Sequence, residues 1–205
     1  MTPPRIAVLD YGIGNLRSAE KALQRVGADA RLTARASEAE TADGVVLPGV
    51  GAFGPCARAL RDSGLAPVAA RAVEAGVPFL GICVGLQLLY AGSEESEDEP
   101  GLGVIDGRVR LLQGEVKRPQ MQWNVLQHDP GPSRMLAGLG AQPWLYFVHS
   151  FAPERTPETV AFCEYGGPVV AAIERGSLWG VQFHPEKSGE TGLKLLDNFV
   201  RACAA

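Results

Sequence analysis

The chain has 205 residues, of which 25 are glycine and 15 are proline, so about one residue in five interrupts regular backbone. Such frequent turns argue against a coiled coil, and a hydrophobic content of 46% excludes a chain that is disordered throughout. The net charge is −4 and no basic stripe is present, which argues against a nucleic-acid-binding protein.

The N-terminal half of the chain alternates between strand and helix patterns. In chain order we expect a strand over 5–10, an amphipathic helix from Leu16 to Val26 ending at Gly27, a strand over 44–47, a helix over 55–75, a strand over 78–83 and the start of a helix over 85–91. Alternation of this kind predicts a parallel sheet that is covered on both faces.

The C-terminal half is richer in short strands. We expect strands over 109–112, 122–127, 144–148, 159–163, 169–174 and 178–183, followed by an amphipathic helix from about Ser188. No low-complexity linker separates the two halves. The sequence therefore predicts a single α/β domain over 1–205, with a mostly parallel sheet and an antiparallel extension.

Two stretches need an interpretation of their own. Five acidic residues stand close together, and we interpret them as a solvated loop: Glu94, Glu95, Glu97, Asp98 and Glu99. Residues 75–93 carry no charge, but their glycines and Pro78 indicate a buried strand, a turn and a helix rather than a membrane span. No signal peptide is visible, so we expect a cytoplasmic protein.

The four cysteines are widely spaced and match no metal-ligand template, so we expect no metal and no disulfide. We also expect no cofactor. One of them stands in the sequence Gly81-Ile82-Cys83-Val84-Gly85, between a strand and a helix. Small residues two before and two after a nucleophile are typical of a tight nucleophile elbow. Cys83 is therefore a candidate nucleophile; a buried cysteine between packing glycines is the alternative.

A second candidate group is His184-Pro185-Glu186, at the end of a predicted strand. A thiol nucleophile needs a base, and the base needs a group that orients it. Residues two apart in extended backbone point to the same side, so Glu186 can orient His184. A structural histidine at a strand end is the alternative interpretation.

The third group is Pro48-Gly49-Val50-Gly51, directly after a strand. Glycines let backbone amides approach a substrate oxygen, so this segment is a candidate arm of an oxyanion hole. An ordinary turn at the end of a strand would have the same composition.

Together these motifs resemble the class I glutamine amidotransferase family, which combines a G-x-C-x-G-x-Q elbow, a P-G oxyanion loop and a late H-P-E. Four further segments are similar to the glutaminase subunits of imidazole glycerol phosphate synthase: Asp10 to Leu16, Met121 to Asn124, Tyr146 to Phe151, and Lys187. Those subunits usually have glycine where this chain has Gln122.

The resemblance implies a three-layer, flavodoxin-like fold and a Cys83-His184-Glu186 triad that hydrolyses L-glutamine. It also implies an oxyanion hole formed by the amides of Val84 and of Gly49, Val50 and Gly51. Gln87 matches a substrate-binding position of the family, and further substrate-binding candidates are Glu95, His149, Ser150 and Phe151.

The resemblance further implies a partner that takes up the ammonia, a (β/α)8-barrel cyclase subunit forming a heterodimer with this chain. The cyclase makes imidazole glycerol phosphate and an aminoimidazole carboxamide ribotide in histidine biosynthesis. The interface candidates are Asn15, Trp123, Tyr146 and Lys187.

Three alternatives stay open at the level of sequence. One is the glutaminase subunit of another synthase, acting for anthranilate, aminodeoxychorismate or pyridoxal phosphate. Another is a flavin- or nucleotide-binding module with Cys83 as a bystander, although no phosphate-binding fingerprint follows a strand. The last is a Cys-His-Glu hydrolase that acts on peptides.

Overall fold

A computed structural model describes residues 2–128 and 133–204 of the chain. The strands are β1 (Arg5–Leu9), β2 (Asp29–Thr33), β3 (Gly44–Gly49), β4 (Phe79–Cys83), β5 (Tyr90–Ser93), β6 (Ser96–Pro100), β7 (Ile105–Leu111), β8 (Gln120–Val125), β9 (Gln127–His128), β10 (Trp144–His149), β11 (Phe151–Pro153), β12 (Thr159–Glu164), β13 (Pro168–Arg175) and β14 (Leu178–Val181). The helices are α1 (Leu16–Arg25), α2 (Ala36–Ala39), α3 (Phe53–Asp62), α4 (Ala66–Glu74), α5 (Val84–Gln87) and α6 (Gly189–Cys203), and a 3₁₀ turn covers Pro185–Lys187.

The central sheet has the order β2-β1-β3-β4-β14-β13-β12-β9. Its first five strands pair in parallel, and β13, β12 and β9 continue it in antiparallel pairing. The predicted α/β class, with a mostly parallel sheet and an antiparallel extension, is confirmed. Every residue of β3 and β4 is buried, which explains why both read as continuous apolar runs.

Two smaller sheets lie outside the central one. β8 pairs with β10 in a two-stranded antiparallel ribbon, and β11, β7, β5 and β6 form a four-stranded sheet. The predicted strand over 122–127 is therefore divided: β8 ends at Val125 in the ribbon, whereas β9 joins the edge of the central sheet. No helix within 2–128 or 133–204 combines the length and the apolar character needed to cross a membrane.

Two helix predictions need correction. The helix expected over 55–75 is divided into α3 and α4, because Gly64 adopts a φ of +75° and ends the first helix. The helix expected over 85–91 is the single turn α5. The carbonyls of Leu88 and Leu89 accept hydrogen bonds from residues 102, 104 and 105 instead of continuing the helix, and the chain enters β5.

The acidic run forms a hairpin rather than the predicted loop, although Glu94, Glu97 and Asp98 are exposed. It lies in the β5–β6 hairpin, where its glutamates have partners on two neighbouring elements, α3 and β7. Glu94 pairs with Leu111 N–H and Arg110, Glu95 with Phe53 N–H, Glu97 with Arg108, and Glu99 with Arg58 and Arg61. Ion pairing therefore fixes a segment whose composition alone predicts solvation.

The functional segments converge at one edge of the sheet. The loop after β1, the end of β3, the end of β4 and the residues after β14 all lie at the carboxyl ends of adjacent parallel strands. In open α/β sheets the crevice outside these ends is the usual place for a ligand. The strand order thus gathers four segments that are far apart in sequence.

The packing of α6 against the central sheet can be tested by its contribution to the free energy of unfolding. Phe199 is fully buried and its ring stands edge-on to Trp179, with centroids 5.7 Å apart. We expect Phe199→Ala to lower the free energy of unfolding by about 3–5 kcal/mol, measured by urea denaturation. Met121→Ala, at a side chain that is 62% exposed, should change it by less than about 0.5 kcal/mol; equal losses would contradict this packing.

Candidate active site

Cys83 stands at the turn between β4 and α5 and is, among the described residues, the one non-glycine residue with a positive φ, at +55°. Such a backbone is strained for a residue with a side chain. The turn also needs its two glycines: a Cβ at Gly85 would lie 1.8 Å from the Leu47 carbonyl oxygen, and one at Gly81 would lie 2.8 Å from the Gly85 oxygen. The elbow pattern therefore corresponds to a real steric demand.

His184 and Glu186 form a buried pair beside this turn. His184 Nδ1 lies 2.7 Å from Glu186 Oε1, and each side chain is only 2% exposed. A carboxylate only accepts hydrogen bonds, so Nδ1 carries the proton and Nε2 is the nitrogen left for Cys83. In the described part of the chain, His184 Nε2 has no other hydrogen-bond partner.

The charge state of His184 follows from these neighbours. Burial disfavours the imidazolium, but the hydrogen bonds and charges of Cys83 and Glu186 outweigh it and raise the pKa of His184 to about 9. At neutral pH the ring is therefore the imidazolium, with a proton on each of its two nitrogens. Asn15, from the loop after β1, donates a further hydrogen bond of 3.4 Å to Glu186 Oε1, so this predicted interface residue also contacts the candidate triad.

The Pro48–Gly51 segment is held by two buried side chains. The Tyr11 hydroxyl donates a 2.7 Å hydrogen bond to the Pro48 carbonyl, and the Cys56 thiol lies 3.3 Å from the Val50 carbonyl oxygen. A Cβ at Gly49 would meet the Tyr11 hydroxyl at 2.8 Å, so only glycine fits there. Gly49 is paired with Cys83 in the β3–β4 register, which places the loop beside the thiol.

A cavity of about 560 Å³ opens over Cys83. It brings together most of the residues predicted from sequence: Asn15, Val50, Gly51, Cys83, Val84, Gln87, Glu95, His149, Ser150, Phe151, His184 and Lys187. Gly49 and Glu186 lie directly behind this lining, through their contacts with Cys83 and His184. Trp123 and Tyr146 do not line the cavity.

Three of the cavity residues have informative partners. The Glu95 carboxylate accepts a 2.7 Å hydrogen bond from the Phe53 N–H, at the start of α3. Gln87 Nε2 donates to the Phe151 carbonyl at 2.9 Å. His149 Nδ1 also bonds that carbonyl, and because burial lowers the pKa of His149 to about 4, the ring is neutral with an unpartnered Nε2 acceptor.

Sequence reasoning missed three residues that contact this machinery. Tyr11 and Cys56 hold the Pro48–Gly51 segment, and Gln182 lies with its amide nitrogen 3.7 Å from the Cys83 sulfur. Tyr11 belongs to the Asp10–Leu16 motif, and Gln182 lies two residues before His184, so both positions could have been identified from the sequence as candidates for the site. Nothing in the sequence around Cys56 marks it.

Trp123 and Tyr146 lie opposite each other on the β8–β10 ribbon, with ring centroids 6.1 Å apart. Side chains alternate across a strand, so Met121 and Trp144 share their face. Met121, Trp123 and Trp144 are 62%, 48% and 55% exposed. We call Met121, Trp123, Trp144 and Tyr146 the outer apolar face. Clustered exposed side chains of this size are typical of an interaction surface.

The chain is similar to known proteins over nearly its whole length. It is 49% identical over 206 residues to imidazole glycerol phosphate synthase subunit HisH of Thermosynechococcus vestitus, covering 98% of both chains. It is 47% identical over 205 residues to the protein of the same name from Deinococcus radiodurans, covering 98% of this chain and 95% of that one.

The fold is shared with more distant proteins. A crystal structure of a glutamine amidotransferase superposes with a TM-score of 0.77 at 21% identity, covering 98% of this chain and 99% of the other. The glutamine amidotransferase class-I family matches residues 7–203, which confirms the resemblance predicted from the elbow, the P-G loop and the H-P-E motif. The chain therefore belongs to the class-I glutamine amidotransferase family.

Proposed function

We propose that this protein hydrolyses L-glutamine to glutamate and ammonia and passes the ammonia to the cyclase subunit of imidazole glycerol phosphate synthase, in L-histidine biosynthesis. The observation that carries the proposal is the placement of Cys83 beside the buried His184–Glu186 pair, at the base of a cavity. The proposal includes a cytoplasmic location and a single glutamine amidotransferase domain over 1–205.

In the first half of the reaction, the Cys83 sulfur attacks the side-chain amide carbon of glutamine. The thiol proton has already passed to His184 Nε2 before the attack, so the sulfur reacts as the thiolate and Glu186 stabilises the imidazolium beside it. Negative charge develops on the amide oxygen. Backbone amides of Val84 and of the Gly49–Gly51 segment are its proposed donors, because both adjoin Cys83 at the end of β4.

In the second half, His184 donates its proton to the leaving amine, and the tetrahedral intermediate collapses to a glutamyl thioester and ammonia. Water, with His184 as general base, then hydrolyses the thioester and releases glutamate. The raised pKa of His184 suits the first of these steps, because the imidazolium is the form that can protonate the leaving group.

Substrate recognition is assigned to the cavity residues that remain. Glutamine carries an α-ammonium and an α-carboxylate, and Glu95 supplies a negative charge on the cavity wall for the former. Gln87, His149, Ser150 and Phe151 also line the cavity, and His149 Nε2 offers an unpartnered acceptor within the described chain. Ammonia that escapes into water becomes protonated and can no longer act as a nucleophile. We therefore propose that a partner docked over the cavity takes it up directly.

The docking surface that we propose for the cyclase, a (β/α)8 barrel forming a heterodimer, is the outer apolar face together with Asn15 and Lys187. Asn15 and Lys187 line the cavity, and Val148, on the strand that carries Tyr146, lines it as well. The face and the cavity mouth are thus neighbours. Relatives 46–49% identical carry the imidazole glycerol phosphate synthase name, which favours this partner over a chorismate-using synthase.

The proposal is tested by removing the nucleophile. We expect Cys83→Ala, assayed with the cyclase subunit, to abolish glutamine-dependent synthesis and to leave ammonia-dependent synthesis unchanged, because free ammonia bypasses the thiol. Cys203→Ala, at a cysteine in α6 outside the cavity, is the control and should retain both activities. Survival of glutamine-dependent synthesis in Cys83→Ala would overturn the proposal.

The His184–Glu186 pair predicts a pH dependence. The protonated imidazole is lost as pH rises through the His184 pKa of about 9, so kcat for glutamine hydrolysis should fall above that pH. Glu186 raises this pKa, so Glu186→Gln should move the descending limb to lower pH. The measurement is kcat of the complex from pH 6 to 10, with Glu190→Gln, at a 94% exposed side chain, as control. An unmoved limb would contradict the assigned role.

The outer apolar face predicts a binding defect without a chemical one. Because aromatic residues often dominate interface energies, we expect Trp123→Ala to weaken association with the cyclase by about 30-fold or more. Alkylation of Cys83 in the free chain should be unaffected. Calorimetric titration measures the first quantity, and Leu111→Ala, at a 37% exposed residue of β7, is the matched control. Equal affinities for both variants would place the interface elsewhere.

A further inference from the structure

Gln182 is fully buried next to the nucleophile. It follows β14 directly and lies two residues before His184. Extended backbone directs residues two apart to the same side, so both side chains face Cys83. Phe183, between them, packs against Phe147 in the core, with ring centroids 5.6 Å apart. The end of β14 thus presents two polar groups to one sulfur atom, and the mechanism above uses only the histidine.

The orientation of the Gln182 amide is fixed by a chain of hydrogen bonds. The Phe151 carbonyl can only accept, so the Gln87 group that lies 2.9 Å from it is the NH₂ group. The same NH₂ donates to Gln182 Oε1 at 3.1 Å. Gln182 therefore turns its own NH₂ toward Cys83, with Nε2 at 3.7 Å from Sγ. The nitrogen and oxygen of a side-chain amide are usually hard to tell apart. Here the Phe151 carbonyl, at the end of the chain of hydrogen bonds, fixes which is which in both glutamines.

A hydrogen-bond donor next to Cys83 stabilises the thiolate, which is the reactive form of the sulfur. Cys83 is 3% exposed, and a buried anion is costly unless it is paired and hydrogen-bonded. His184 supplies the opposite charge from one side. Hydrogen bonds to an ionised group are about twice as strong as neutral ones, so a neutral donor favours the thiolate over the thiol. The bond weakens once the sulfur is acylated and its charge is gone.

We propose that Gln182 is a further catalytic residue, which donates a hydrogen bond to the Cys83 sulfur and stabilises the thiolate that attacks the substrate. Gln87 acts through it as a positioning residue, because it holds the Gln182 amide in the donating orientation. The assignment rests on the proposed role of Cys83 as nucleophile, and it adds a group outside the Cys83-His184-Glu186 triad.

The chain contains a second buried glutamine–cysteine pair that isolates the effect. Gln120 Nε2 lies 3.7 Å from Cys163 Sγ, both residues are fully buried, and no histidine contact joins them in the described structure. Burial raises the pKa of Cys163 to about 11 despite the glutamine. A buried amide alone therefore makes no nucleophile, and Gln120→Met is a matched control for the loss of packing and amide hydrogen bonds.

The experiment uses the full chain and two variants, Gln182→Met, which removes the donor, and Gln182→Glu, which keeps an acceptor for Gln87 and adds a charge. Iodoacetamide alkylation of Cys83 is followed from pH 6 to 10 by mass spectrometry of the modified peptide. We expect rates about 10- to 100-fold below wild type for both, with half-maximal alkylation at higher pH. Gln120→Met should alkylate at the wild-type rate.

The pH profile can be assigned because the other groups around Cys83 stay in place. They are His184 with Glu186 behind it, Tyr11 and Cys56 beside the Pro48–Gly51 loop, and the cavity residues His149, Glu95 and Lys187. In the complex, we expect kcat for glutamine to fall by the same factor and KM to change little. Wild-type alkylation by Gln182→Met, or a change in KM alone, would overturn the proposal.

A measurement on the unaltered sequence covers the case in which the variants do not fold. In protein labelled with ¹⁵N at glutamine side chains, alkylation of Cys83 should shift the amide resonances of Gln182 and leave those of Gln120 in place. Unmoved Gln182 resonances would also overturn the proposal. Alkylation of Cys83 does not require glutamine turnover. Failure of the proposed glutaminase function would therefore appear in the turnover assay, and absence of the Gln182 hydrogen bond in the alkylation and resonance measurements.

Discussion

The site depends on the close contact between β3 and the turn that follows β4. A Cβ at Gly85 would overlap the Leu47 carbonyl at 1.8 Å, so α5 can start there only with glycine. This contact directs Cys83 out of the sheet with a φ of +55° and places it beside the Pro48–Gly51 loop. The parallel neighbour β14 then brings His184 to the other side. Backbone packing, rather than side-chain attraction, therefore assembles the nucleophile, its base and the loop.

Charge beside the Cys83 sulfur is concentrated in the His184–Glu186 pair, whereas Glu95 and Lys187 line other parts of the cavity. Glu186 and the sulfur raise the pKa of His184, whereas burial keeps the nearby His149 neutral. Gln87 and Gln182 supply directed dipoles without a proton to exchange. In the proposed mechanism the tasks are separate: the histidine moves protons, and the amides keep fixed orientations while the charge on the sulfur changes.

The strand β10 links the chemistry to the proposed docking surface. The Tyr146 carbonyl accepts the His184 N–H, and the Tyr146 N–H donates to Ser188 Oγ, which in turn donates to the His184 carbonyl. The side chain of Tyr146 belongs to the outer apolar face, with Trp123 against it. Three hydrogen bonds therefore connect the backbone of the strand that carries Tyr146 to the segment that holds His184, the proposed base.

The sequence by itself determined the fold class, the family and the candidate triad, because short motifs with steric or chemical demands carry them: glycines around Cys83, a proline after His184 and glycines after Pro48. It could not determine where α5 ends, since the Leu88 and Leu89 carbonyls accept hydrogen bonds from residues 102, 104 and 105, or that ion pairs fix the acidic run. Tyr11, Cys56 and Gln182 gained their roles only from tertiary structure. Their partners are backbone carbonyls and a sulfur atom contributed by other strands, and no local pattern encodes a contact between segments that only the strand order brings together.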